Sequence, residues 1–187
     1  ISKHQEQPRV PGIQVALSVR GTTIWSEGFG YSDLEERRPV TDTTRFRIAS
    51  LSKSVSSLAL GRMMEDGTLD IDRPIGDYMP ELPGEFHPIT CRQLAGSLSG
   101  IRHYDPKDPK YNTIHYPDAF SSLTRFINDP LVFEPGTGYL YSSYGWVLLS
   151  AVMEKTGGKP FQSLMQEVWD DLGMGETSFE VWGEAYP

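Results

Sequence analysis

Ser50 and Lys53 stand three residues apart in Arg47-Ile48-Ala49-Ser50-Leu51-Ser52-Lys53-Ser54, and residues so spaced share one face of a helix. A hydroxyl and an amine brought together in this way can do nucleophilic chemistry. Serine is a poor nucleophile at neutral pH and needs a group to take its proton. A lysine serves only where its surroundings keep it neutral, through burial or a neighbouring cation. A helix start adds free backbone N–H groups suited to negative charge developing on an attacked carbonyl oxygen. The same residues also have a plain structural reading, Ser50 as an N-cap and Lys53 as a solvated lysine. S-x-x-K alone does not separate the two.

Composition narrows the classes. A chain of 187 residues with 38% hydrophobic and 22% charged residues is long enough for one domain with a real core. The net charge of -8 argues against nucleic acid, which needs a basic face, and leaves no polybasic anchor for anionic lipid. No apolar run is long enough to span a membrane. Cys91 is the single cysteine, which excludes an internal disulfide, and its apolar-periodic surroundings make it a small core residue. His4, His87, His103 and His115 are scattered, without zinc spacing. No metal and no cofactor are expected. The chain begins with Ile1 rather than Met, so the absence of a secretory signal leaves the compartment open.

The elements that must position Ser50 and Lys53 follow from pattern. A polar lead-in up to Pro11 precedes a strand over Ile13–Val19. Arg20-Gly21 is a turn signal, and Thr22–Tyr31 reads as the partner strand of a β-hairpin, alternating over Ile24 and Ser26 against Trp25 and Glu27. Two strands alone are marginal in water and call for more sheet. Asp33–Arg45 reads as a loop. The Ser50 helix is expected to run to about Asp66 and Gly67, burying Leu51, Val55, Leu58, Ala59 and Met63. Thr90 and Gln93 predict a capping box and a short helix ending near Gly96. Ser97-Leu98-Ser99-Gly100-Ile101 is a turn. It lacks the serine of a G-x-S-x-G elbow, because Leu98 stands there. A loop over Tyr104–Pro117, a helix over Ala119–Asn128, a helix opening at Tyr139–Gly145 and ending at Gly157-Gly158, and a last helix after Pro160 complete the pattern. No linker or internal repeat divides the chain.

Several ordered blocks resemble the serine β-lactamase, penicillin-binding protein and D,D-peptidase superfamily, in its class C-like branch with esterases. They are Pro11-Gly12-Ile13 to Gly30-Tyr31, Phe46-Arg47-Ile48-Ala49-Ser50-Leu51-Ser52-Lys53, Gly67-Thr68-Leu69-Asp70-Ile71-Asp72-Arg73-Pro74-Ile75, Leu94 to Gly100-Ile101, Phe133-Glu134-Pro135-Gly136 to Tyr141-Ser142-Ser143-Tyr144-Gly145, and Gly158-Lys159-Pro160-Phe161 to Leu172-Gly173-Met174. Pro8–Ile13, Trp25–Tyr31, Ser97-Leu98-Ser99-Gly100-Ile101-Arg102-His103-Tyr104 and Asn128-Asp129-Pro130-Leu131 are similar to the mitochondrial serine β-lactamase-like branch and its bacterial relatives. The short loop after Tyr104 lacks the long charged insertion of the animal forms and favours a bacterial relative.

The resemblance implies an α/β (α+β) fold of the β-lactamase/transpeptidase type. Residues 1–187 would form one domain, with a hairpin over about 1–49 and a helical part over about 50–175. It implies catalytic roles for Ser50 as acylated nucleophile, Lys53 as base or relay, and Tyr141 as second acid/base. Ser143 would be substrate-binding, in a position where the family usually has asparagine. A phenolate beside a cationic lysine is chemically sound, since opposite charge favours the ionised form. Serine offers fewer hydrogen-bonding groups than asparagine, which disfavours efficient β-lactam recognition.

The family's third element is a Lys-Thr-Gly or His-x-Gly on a sheet strand. Lys155-Thr156-Gly157 spells it but follows Tyr141 too closely and ends a predicted helix, where a basic residue and glycine are structural. The true element is expected beyond Pro187, so the chain reads as C-terminally incomplete, with a second chain or C-terminal segment completing the sheet. The expected function is a serine hydrolase acting through an acyl-enzyme on amide or peptide, ester or β-lactam substrates, with peptidase or esterase favoured. The alternative is a non-catalytic penicillin-binding-type fold used for assembly or ligand binding. Expected partners are a small-molecule or peptide substrate and the completing segment. The compartment is open between bacterial extracytoplasmic or cytoplasmic and mitochondrial.

Overall fold

The computed structural model describes residues 10–105, 107 and 114–180. Most of the polar lead-in expected up to Pro11, His4 within it, and much of the expected Tyr104–Pro117 loop lie outside the described residues. The chain divides into two compact units, Ile1–Ile48 and Ala49–Pro187.

In the first unit, strands β1 (Gly12–Val19) and β2 (Thr22–Asp33) pair antiparallel. The register runs from Gly12 opposite Gly30 to Val19 opposite Thr22, with a shift between Leu17 and Ser18. Arg20 and Gly21 both have positive φ, 50° and 79°, as expected for a two-residue turn whose twist matches its strands. The stretch expected to be a loop contains a third strand, β3 (Arg38–Pro39), paired antiparallel with β2. Its origin is local. The Asp33 carboxylate accepts the N–H groups of Glu35 and Glu36 at 2.8 and 2.9 Å, which turns the chain back onto β2. Buried Val40 follows β3. A Cβ on Gly28 would sit 2.2 Å from the Val40 carbonyl oxygen, so only glycine admits that approach. Leu17, Val19 and Ile24 remain exposed on the strands.

The second unit is helical. Its helices are α1 (Ser52–Glu65), α2 (Cys91–Ala95), α3 (Ala119–Ser122), α4 (Ser143–Gly157) and α5 (Phe161–Asp171). Helix α4 is central, with Leu148, Leu149 and Val152 fully buried. Around it pack α2, α3, α5 and α1. The amphipathic stripe Leu164, Met165, Val168 and Trp169 turns α5 inward. The expected capping box opens α2: Thr90 Oγ1 accepts the Gln93 N–H, and Gln93 Oε1 accepts the Thr90 N–H. Glu154 on α4 accepts the N–H of Ala119 at 3.0 Å and of Phe161 at 2.8 Å. One carboxylate thus satisfies the first turns of both α3 and α5.

Two helix expectations need correction. Helix α1 buries Ala59, Leu60 and Met63, while Leu51 and Leu58 are exposed. The inward stripe is therefore narrower and rotated from the one read off the sequence. The helix expected over Ala119–Asn128 stops at Ser122 and continues as a 3-10 turn over Leu123–Arg125. The Ser122 hydroxyl donates to the Ala119 carbonyl and the Thr124 hydroxyl to that of Ser121, local side-chain bonds that compete with regular helix. Lys155 and Thr156 lie in the last turn of α4. Lys155 pairs with Glu81 at 3.1 Å, and the Thr156 hydroxyl donates to Val152 O at 2.8 Å. Gly158 closes the helix at φ 65°. Cys91 is fully buried. Burial, with Asp70 nearby, pushes its thiol up to about 12, which leaves it inert as a thiolate.

The backbone of residues 97–103 is pinned alongside 132–143. Val132 N–H donates to Gly100 O, Gly136 N–H to Leu98 O and Leu140 N–H to Ser97 O, at 2.8 to 3.0 Å. Gly100 has φ 77°, and a Cβ there would lie 2.1 Å from the Phe133 carbonyl oxygen. Gly100→Ala is therefore expected to destabilise the protein by roughly 2–4 kcal/mol, because both the backbone angle and the backbone approach must change. Chemical denaturation of the variant checks this, and an unchanged midpoint would contradict it.

Candidate active site

Ser50 sits in a 3-10 turn, Ala49–Leu51, that leads into α1. Ala49 before it has φ 44°, a conformation that L side chains rarely adopt and that persists only where surrounding structure holds it. The N-cap of α1 is Leu51, without a side-chain cap. The Ser50 hydroxyl is thus free of the capping role. It lies 2.8 Å from the Tyr141 hydroxyl, which donates to it, and 3.5 Å from Lys53 Nζ. Lys53, the second residue of α1, is half-buried. Its ammonium also donates to Ser143 Oγ at 3.2 Å and lies 5.0 Å from the centre of the Tyr141 ring. The solvated-lysine reading does not fit this placement. All four residues singled out in the sequence, Ser50, Lys53, Tyr141 and Ser143, meet in one cluster within the second unit.

The Tyr141 side of the cluster is built by α4. Ser142 is its N-cap, and its buried hydroxyl accepts the Gly145 N–H at 3.0 Å while donating to the Arg102 carbonyl at 2.8 Å. This cap fixes where the helix begins, and so fixes Tyr141 just before it and Ser143 as its first residue. Arg102 is held in turn by Asp129 and lies over the Tyr144 ring. Hydrogen bonding to Lys53, then to Ser50, holds the Tyr141 phenol below the usual tyrosine range. Tyr141 keeps 39% of its surface exposed, so a substrate can reach it.

Two contributors were missed in the sequence. His103, counted among scattered histidines, has its Nδ1 3.0 Å from the Ser143 N–H, and its ring meets Tyr141 and Tyr104. Burial, then the Lys53 charge, holds it below the ordinary histidine value. Ser142 was seen only as the middle of a motif. Its N-cap position before an apolar run was a usable signal, whereas nothing local marks His103. Among the described residues no group of three or more His, Cys, Asp or Glu is placed to hold a metal ion, and no helix is long and apolar enough to cross a membrane.

The model of the Beta-lactamase family matches residues 1–186. The chain is 32% identical over 241 residues to the human (Homo sapiens) "Serine beta-lactamase-like protein LACTB, mitochondrial", covering 92% of this chain and 44% of that protein. Among solved structures, EstCE1, "a hydrolase with promiscuous acyltransferase activity", superposes with a TM-score of 0.80 at 25% identity, over 92% of this chain and 49% of that one. The D-amino acid amidase from Ochrobactrum anthropi SV3 superposes with a TM-score of 0.75 at 27% identity, over 88% and 46%. The chain thus spans less than half the length of each of these relatives.

Proposed function

Because the chain belongs to the beta-lactamase family and has its mixed helix-and-sheet fold, we propose that it is the nucleophile-bearing part of a serine hydrolase that works through an acyl-enzyme on Ser50. The observation that carries this is the convergence of Lys53 and Tyr141 on a Ser50 hydroxyl that caps nothing. The Tyr141 phenolate, favoured by the Lys53 ammonium, takes the Ser50 proton as Oγ attacks the substrate carbonyl carbon. The protonated phenol then gives that proton to the leaving amine or alcohol as its bond to the carbonyl breaks, leaving acyl-Ser50. Water, deprotonated by Tyr141, attacks the acyl carbon, and the proton returns to Ser50 as the acid departs. Lys53 keeps Tyr141 ionised and, with Ser143, holds the geometry between turnovers.

Substrates of the amide, peptide or ester class are favoured over β-lactams, because Ser143 offers a single hydroxyl and that hydroxyl already accepts from Lys53. The similarity to an amidase and to a hydrolase with acyltransferase activity supports the same preference. The reading includes a third element supplied by a second chain or further segment. Exposed Leu17, Val19 and Ile24 on the sheet support it, as does the 44% coverage of the human relative.

A fluorophosphonate probe tests the proposal on the full-length protein. Intact mass should rise by one adduct, and peptide mapping should place it on Ser50. An unlabelled, folded full-length protein would instead favour the non-catalytic reading, a fold of this type used for assembly or ligand binding.

A further inference from the structure

His103 has no step in the scheme above, yet it holds both ends of the Tyr141-Ser142-Ser143 element. Its Nδ1 accepts the Ser143 N–H at 3.0 Å, and its ring meets the Tyr141 ring edge-on with centroids 5.4 Å apart. Tyr104 packs on the imidazole at 3.9 Å between centroids. Ser143 is the first residue of α4, so its N–H has no acceptor within the helix. The Ser142 hydroxyl is already engaged with Gly145. The imidazole lone pair is the acceptor this turn otherwise lacks. A protonated imidazole has no lone pair. It would set one N–H against another where α4 begins.

We infer that His103 is a positioning residue, which fixes Tyr141 and Ser143 against Ser50 and Lys53 and does so only as neutral imidazole. This rests on Ser50 being the nucleophile. The groups facing the imidazole are Lys53 from α1 and Tyr141 from the segment entering α4. On its own segment stand Arg102, paired with Asp129, Tyr104 and Asp105. Burial and the Lys53 charge both oppose protonation, consistent with a neutral ring at working pH.

Two protons would then oppose acylation. Protonation of Tyr141 removes the base, so the logarithm of the rate rises with slope one in pH. Below the His103 transition a second proton disassembles the turn, and the slope becomes two. This makes the role separable from a purely structural one. In His103→Asn, Oδ1 stands near the Nδ1 position and accepts without titrating. In His103→Phe the ring remains but the acceptor is gone.

The experiment measures the rate of fluorophosphonate labelling of Ser50 in the full-length protein from about pH 5 to 9, across the range where histidine titrates. The wild type should steepen on the acid side. His103→Asn should recover most of the neutral-pH rate with a single slope throughout. His103→Phe should label about tenfold more slowly above the His103 transition, the rate equivalent of one lost hydrogen bond, and with its single slope should approach the wild type below it. A steep acid limb that survives in His103→Asn, or a wild-type rate and profile in His103→Phe, would overturn the inference. A second readout needs no catalysis: the imidazole nitrogen shifts and the Ser143 amide shift of the wild type, followed by NMR over the same range, should titrate together. An amide that ignores the His103 transition overturns the contact. If the wild type is never labelled, the nucleophile reading fails, and the co-titration decides the His103 contact by itself.

Discussion

Ser50→Ala is expected to abolish fluorophosphonate labelling and to lower hydrolysis by on the order of 10⁴–10⁶-fold, the loss typical of removing a serine nucleophile. The fold should be indifferent to the change. Ser50 is exposed, and the cap position of α1 belongs to Leu51, so stability should stay within about 0.5 kcal/mol of wild type. The rate is read on the full-length protein with an activated ester, a D-amino acid amide and a chromogenic β-lactam. The thermal transition is read in parallel. Hydrolysis that persists in a folded Ser50→Ala protein would remove Ser50 from the chemistry altogether. A large loss of stability would instead revive its reading as a structural serine.

Tyr141→Phe should cost about 10²–10⁴-fold in acylation, the usual worth of a positioned acid–base group. Its pH dependence carries more information than its size. Hydrogen bonding with Lys53, then with Ser50, holds the Tyr141 phenol below the ordinary tyrosine range, whose unperturbed value is near 10. The proposed base is the phenolate, so the wild-type rate should climb as pH rises and level off below that value. Tyr141→Phe should lack this limb. Lys53→Met removes the main cause of the lowered value, the Lys53 hydrogen bond, and should move the plateau upward while slowing the reaction at neutral pH. A wild-type profile with no such limb, or one unchanged in Tyr141→Phe, would assign the base to another group.

Patterning along the chain carried much of the architecture. The Arg20-Gly21 turn between two β-rich runs made the hairpin legible, and Thr90 with Gln93 marked the start of α2. These features are local: each depends on residues within a turn of one another. β3 was illegible because Arg38-Pro39 has no strand character of its own. It pairs only because Asp33 reverses the chain beside β2. The end of α3 was illegible for a related reason, since hydroxyl bonds to nearby carbonyls compete with an otherwise helical pattern.

The candidate site divides the same way. Sequence by itself determined that Ser50 and Lys53 share one helical face, because three-residue spacing does so in any helix. Ordered motifs added Tyr141 and Ser143 by resemblance. Only the tertiary structure decided that Ser50 is released from capping, that Lys53 reaches Ser143 across 90 residues of chain, and that Tyr141 stands 2.8 Å from the Ser50 hydroxyl. It alone brought in His103, whose imidazole meets the first N–H of α4 across 40 residues. Spacing rules describe neighbours along one element, whereas an acceptor for a helix N-terminus can arrive from any segment the packing places there.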